Sequence, residues 1–159
     1  MLSLPTLLSE RVAEVTGMGW DAACPWGEGA LGAALLAPTR LYVRPVLAAI
    51  RAGGVHGAAH ITGGGLTENL PRVLPEGLGA QVDLGQWRLP GVFGWLRAAG
   101  GIAEAEMLKT FNCGIGMILV VAPDWAEALA NLLRDAGEQV YRIGTVTPGQ
   151  GVSYTGALG

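Results

Sequence analysis

Cysteine is nearly absent from this chain: Cys24 and Cys113 are the only two in 159 residues. That excludes a disulfide scaffold and a structural zinc site of the usual ligand spacing. Histidine is as scarce, and although His56 and His60 stand four apart, no glutamate follows the first in an H-E-x-x-H pattern, so a zinc protease is excluded too. Lysine occurs once, at Lys109, and the other basic residues are scattered arginines in a chain of net charge −3 and pI about 5.3. Clustered cations are needed to displace counterions from nucleic acid, so no nucleic-acid partner is expected. Long apolar runs are missing as well. The longest, Met117 to Ala122, falls far short of the roughly 20 residues of a membrane-spanning helix, so no membrane partner is expected either. The first residues, MLSLPTLLSERV, lack a basic leader and a small-residue cleavage site, which predicts a cytoplasmic protein.

What the chain has is apolar surface and glycine. Half its residues are apolar and its mean hydropathy is +0.39, enough burial to offset the entropy of ordering, so disorder is excluded. At 16.4 kDa, residues 1–159 fit one domain. Charged residues are only 14%, against about 25% in an ordinary soluble domain. Glycines number 26, about twice the usual share of roughly 7%. A surface so poor in charge predicts an exposed apolar patch of the kind that marks a protein interface. A GC-rich genome favouring Ala, Gly and Arg codons accounts for the same composition.

Apolar spacing predicts a helix over Leu4 to Val15, with Pro5 in its first turn and Gly17 beyond its end. Gly19 to Gly29 reads as a loop whose Trp20 and Trp26 cover core edges. A short helix over Ala30 to Leu36 follows, then one over Arg40 to Ala52 capped by Thr39 and closed by Gly53 and Gly54. Val55 to Thr62 reads as a strand, Leu66 to Val73 as a helix with Thr67 as cap, and Ala80 to Leu84 as a strand. Pro90 to Ala99 and Ala103 to Thr110 read as helices. Ile115 to Val121, apolar throughout, reads as a strand buried on both faces. A helix over Pro123 to Ala136, a strand over Val140 to Val146 and an edge strand near Val152 to Tyr154 complete the chain. Interleaved in this way, the elements predict an α/β or α+β domain with a mixed β-sheet flanked by helices.

The stretch richest in chemistry runs from His60 to Asn69, HITGGGLTEN. A strand that ends in Gly63, Gly64 and Gly65 and enters a helix leaves backbone N–H groups free, with no side chains to keep a phosphate or carboxylate away. Neither G-x-x-x-x-G-K-[ST] nor G-x-G-x-x-G is matched, and a bare strand-to-helix turn explains the same residues. His60, at the strand end, is a candidate proton carrier or oxyanion partner; His56 is the weaker candidate. Asn112, Cys113 and Gly114 form a second polar turn before the most apolar strand, a common place for ligand contacts. Nothing local supplies Cys113 with an activating base, so it reads as a packed thiol ahead of a nucleophile.

LLAPTRLYVRPVL (Leu35 to Leu47), HGAAHITGGGLTENLPRVLP (His56 to Pro75) and FNCGIGM (Phe111 to Met117), in this order and spacing, resemble the C-terminal domain of phosphoribosylformylglycinamidine cyclo-ligase, the aminoimidazole ribonucleotide synthetase family. The resemblance runs over nearly the whole chain. Thiamine-monophosphate kinase, selenophosphate synthetase and other families of this architecture match these motifs less well. The resemblance implies an enzyme of purine biosynthesis that uses ATP to phosphorylate the amide oxygen of formylglycinamidine ribonucleotide. An internal nitrogen then closes the imidazole ring, releasing ADP and phosphate, with the enzyme holding nucleophile and carbon in near-attack geometry.

Members of that family are homodimers whose N-terminal domain provides most contacts to ATP and Mg²⁺. That domain has no counterpart in this sequence, which predicts a substrate-side half, inactive alone, with no metal ligands of its own. By the same resemblance, Thr62, Gly63, Gly64, Gly65 and Gly114 contact substrate or phosphate, Asn69 and Asn112 orient the substrate, and His60 is the catalytic contact. Two other readings remain: a non-catalytic binding or assembly module of the same fold, and a related ATP-dependent enzyme acting on another phosphorylated substrate.

Overall fold

The computed structural model describes residues 6–159, with side chains described from residue 10 onward. It is a mixed α/β arrangement in which the expected sheet is split in two. Helix α1 (Thr6–Thr16) ends at Gly17, whose φ of 67° supplies the left-handed residue a helix end favours. Leu4 and Pro5, expected in this helix, lie outside the described residues. Helix α2 (Leu31–Leu35) is short and stops ahead of Pro38.

Helix α3 (Val43–Ala52) begins three residues later than the sequence predicts, and Thr39 does not cap it. Pro45 is the reason. In a helix starting at Arg40 its ring would strike the carbonyl of Leu41, whereas in the first turn of a helix starting at Val43 it is tolerated. Strand β1 (Val55–His60) then pairs antiparallel with β3 (Met117–Val121), His60 opposite Met117 and Ala59 opposite Ile118, with a bulge at His56. These two strands form one sheet. Only Ile118 of β3 is buried, which corrects the expectation of burial on both faces. An apolar run reads as a central strand of a covered parallel sheet, but here its outward face lies beside the exposed Ala58 and His60 of a two-stranded ribbon.

The second sheet has the order β4-β2-β5 and is itself mixed: β2 (Leu78–Asp83) is antiparallel to β4 (Gly144–Pro148) and parallel to β5 (Val152–Thr155). β4 starts at Gly144 and not at Val140, because β2 ends at Asp83 and leaves the earlier residues no ladder to join. The Asp83 carboxylate accepts the N–H of Gly85 at 3.0 Å and turns the chain into a 3₁₀ segment.

Helix α4 (Gly65–Asn69) stops short of the predicted Val73, since Pro71 lacks the N–H the next turn needs and starts a 3₁₀ turn instead. Helices α5 (Gly91–Gly100) and α6 (Glu104–Thr110) fall where periodicity places them, whereas α7 (Ala126–Asp135) begins three residues later than predicted because Pro123–Trp125 form a 3₁₀ turn. One core joins the layers: Phe93 and Phe111, their rings 5.7 Å apart, lie among Ile61, Leu66, Val82, Leu96 and Met107. Trp26 packs on that core and on Trp95 at 5.2 Å, as expected, whereas Trp20 is 51% exposed and covers no core edge. Among the described residues no helix is long and apolar enough to cross a membrane.

Candidate functional site

The two turns singled out by sequence lie side by side. The N–H of Ile61 donates to the carbonyl of Gly116 at 2.9 Å, and the Gly63–Gly65 turn rests on the end of α6. Each glycine of the turn has its own role. Gly65, at φ 56°, is buried so tightly that a Cβ would lie 2.8 Å from the carbonyl oxygen of Phe111 and overlap that of Leu108. Gly64 takes φ 95°, and a Cβ there would lie 2.8 Å from a carboxylate oxygen of Glu68. Gly63 is exposed, and nothing approaches within 4 Å of where its Cβ would be. Thus two glycines are there to pack and turn the backbone, and one faces open space.

Hydrogen bonding sorts the turn further. Gly65 donates its N–H to the carbonyl of Thr62 at 3.0 Å, while the N–H groups of Gly63 and Gly64 meet no backbone acceptor among the described residues. Successive unpaired amides of this kind form a concavity suited to an anion oxygen. With five residues, α4 adds little dipole, so the amides themselves are the attraction. Asn69, 7% exposed, donates its side-chain amide to the carbonyls of Gly63 (3.1 Å) and Gly65 (2.8 Å). The side chain expected to orient a substrate is placed as the brace that shapes the turn. Its carbonyl oxygen accepts from Arg72 at 3.3 Å, which keeps a guanidinium beside the turn, partly offset by Glu68 at 3.9 Å.

The Asn112–Gly114 turn is equally committed to structure. Asn112 is 1% exposed, and its side-chain oxygen accepts the N–H of Gly114 at 3.0 Å. Gly114, at φ 99°, faces Pro90, whose Cδ would lie 2.7 Å from a Cβ. Cys113 adopts φ 49°, a left-handed conformation few side chains accept. Trp87 holds it there by donating its indole N–H to the Cys113 carbonyl at 2.9 Å. The Cys113 thiol is buried and donates to the carbonyl of Met107 at 3.4 Å. Burial foremost, then the charge of Glu104, pushes its pKa from the ordinary 9.0 up to about 12, with Arg97 pulling the other way.

A packed thiol is the reading the sequence favours, and the nucleophile alternative fails on this geometry. Ellman's reagent at pH 8 is expected to modify Cys113 only as fast as the protein unfolds, so labelling faster than unfolding would refute its inertness. The folded pKa lies above the unfolded one, so the stability gained by keeping the thiol neutral is full below about pH 9. It is lost as pH rises toward 12.

His60 is exposed at the end of β1, and its ring meets the edge of Tyr42 with centroids 5.9 Å apart. Tyr42 in turn occupies the space where a side chain at position 116 would be, which is why Gly116 carries none. Sequence reasoning did not single out Tyr42, though it sits within the LLAPTRLYVRPVL segment. Thr67 and Tyr154 also escaped notice as site residues. The Thr67 hydroxyl, expected as a cap, is 3.2 Å from the carbonyl of Leu108 and 2.9 Å from the Tyr154 hydroxyl, tying α4 to α6 and β5. Only the period of β5 hinted at an inward Tyr154. Two shallow depressions of about 390 and 440 Å³ lie along the second sheet near Asp83, Arg142, Trp87 and Tyr141, and neither includes a residue of the glycine turn.

Comparison with known proteins agrees with this architecture. Residues 6–156 match the family model described as AIR synthase related protein, C-terminal domain. Among solved structures, the chain is similar to thiamine-monophosphate kinase from Stenotrophomonas maltophilia, with TM-score 0.66 and 21% identity over 97% of this chain and 48% of that one. It is also similar to the protein tt0281 from Thermus thermophilus, with TM-score 0.61 and 23% identity over 96% of this chain and 46% of that one. The chain therefore spans about half the length of these solved proteins, and at such identities the likeness is one of fold. With the family match running through both sheets and both glycine turns, the chain belongs to the AIR synthase related family, as its C-terminal domain.

Proposed function

We propose that this domain is the substrate-side half of an ATP-dependent enzyme, and that its substrate is formylglycinamidine ribonucleotide, closed to aminoimidazole ribonucleotide with release of ADP and phosphate. The observation that carries the reading is the pair of N–H groups at Gly63 and Gly64 that meet no backbone acceptor, on a turn where Gly63 is exposed, with Thr62 and the exposed His60 next to them. The amides receive the substrate's 5′-phosphate, with Arg72 adding charge and Asn69 holding the carbonyls of the turn away from the anion. His60 exchanges a proton with the ligand held there, at an atom the phosphate anchor brings within reach. The motifs from Leu35 to Met117 favour the cyclo-ligase over the other families of this architecture.

ATP and Mg²⁺ enter through the part of the enzyme that supplies nucleotide contacts. Among the described residues no group of three or more His, Cys, Asp or Glu could hold a metal ion, so the Mg²⁺ ligands are assigned to that nucleotide-binding part. The whole enzyme is read as a cytoplasmic homodimer.

Calorimetric titration of the chain with formylglycinamidine ribonucleotide, thiamine monophosphate and inorganic phosphate tests the reading, first alone and then with the nucleotide-binding half and an unreactive ATP analogue. Selective binding of the ribonucleotide is expected. Preference for thiamine monophosphate would shift the substrate to that of a related kinase, and no binding in any mixture would leave a non-catalytic module.

A further inference from the structure

His60 and Thr62 share the outward face at the end of β1, alternating with the buried Ala59 and Ile61. An exposed histidine at a strand end can turn about two torsions, which spreads its ring nitrogens over several positions. Here the ring is held. It meets the Tyr42 ring with centroids 5.9 Å apart and planes at 67°, the edge-to-face arrangement that aromatic rings favour. Among the described residues this is the only ring contact, hydrogen bond or ion pair of the His60 side chain. Tyr42 is half-buried and is itself anchored at three points. Its backbone opens α3, the carbonyl accepting the N–H of Val46 at 3.0 Å. Its hydroxyl fills the side-chain place at Gly116, next to Met117, the residue paired with His60 across the ladder. Two residues earlier, Arg40 donates to Glu138 at 3.1 Å and to the carbonyl of Gly137 at 3.1 Å, which ties this segment to the end of α7.

We propose that Tyr42 is the positioning residue of His60, its ring holding the imidazole in one orientation beside the glycine turn. The proposal rests on the reading of His60 as the group that exchanges a proton with the bound ligand. Proton transfer requires donor and acceptor within hydrogen-bond reach, so a ring held in place reacts more often than one that samples several rotamers. Tyr42 does not compete for that proton. Burial foremost, then the charge of Glu138, raises its pKa above the ordinary 10.0, with Arg40 pulling the other way, so the phenol stays neutral. Both rings belong to this chain, and the contact needs nothing from the nucleotide-binding half.

With His56 and His60 the only histidines, NMR of the chain reads the imidazole directly. Nuclear Overhauser effects between the Tyr42 and His60 ring protons are expected in the unmodified chain, and Tyr42→Leu should move the His60 resonances while those of His56 stay in place. Absence of those effects, or unmoved His60 resonances in a folded Tyr42→Leu chain, would overturn the positioning with no substrate involved. Turnover of formylglycinamidine ribonucleotide by the chain together with the nucleotide-binding half is the second arm. Tyr42→Leu is expected to lower kcat about tenfold with KM within about twofold, since the phosphate anchor at Gly63 and Gly64 is untouched, and Tyr42→Phe, which keeps the ring, should restore kcat. His60→Asn alone should cost about a hundredfold, and adding Tyr42→Leu to it should cost nothing more. Additive losses in the double variant, or Tyr42→Phe as slow as Tyr42→Leu, would overturn the proposal. No turnover by the unmodified enzyme would overturn the substrate reading instead, and the resonances would still decide the positioning.

Discussion

Replacing Gly65 by alanine is expected to cost about 3 kcal/mol and to lower the melting temperature by about 10 °C. Two costs add. The residue sits at φ 56°, where a Cβ is disfavoured by about 1–2 kcal/mol, and the methyl group would press on the Leu108 and Phe111 carbonyls. Those carbonyls are backbone at the end of α6 and cannot swing aside as a side chain would. Gly63→Ala is the control. Its Cβ meets nothing within 4 Å and its φ is not positive, so a change within about 0.5 kcal/mol is expected. Thermal melts of the two variants decide the matter, and equal melting temperatures would show that the turn does not pack on α6 as described.

The same contrast isolates ligand binding from folding. Gly63→Val should weaken the phosphorylated substrate about tenfold or more in calorimetry while melting barely moves, since its side chain meets nothing within 4 Å yet adds bulk to the turn that carries the unpaired amides. Gly64→Val cannot separate the two effects. At φ 95°, with Glu68 2.8 Å from its Cβ, it should lose binding and stability together. Unchanged affinity in Gly63→Val would remove the phosphate from this turn and leave the glycines a purely structural reason.

Much of the fold was legible because local rules govern it. Apolar spacing placed α5, α6 and α7, and Gly17, Gly101 and Gly137 each follow a helix with the positive φ that ends it. The errors came where one residue outweighed the period. Pro45 delays α3 and Pro71 cuts α4, through a ring clash and a missing donor that a hydrophobic pattern does not register. The apolar run Ile115 to Val121 contains the strand Met117–Val121 but overstates its burial, because apolar residues state what a strand prefers and not what covers it.

The candidate site divides the same way. By itself, the sequence determined that strand, glycine turn and helix follow one another at residues 55–69, that an Asn-Cys-Gly turn precedes β3, and which family motifs these make. Glycine runs and periodicity are properties of neighbours along the chain, so they can be read from it. Only the tertiary structure decided which glycine is open and which is packed, that Asn69 and Asn112 hydrogen-bond backbone groups of their turns, and that Tyr42 meets His60 while Thr67 meets Tyr154. Each of those depends on contacts between residues distant in sequence, such as Thr67 with Tyr154 or Gly65 with Leu108, and burial arises only when the elements have packed.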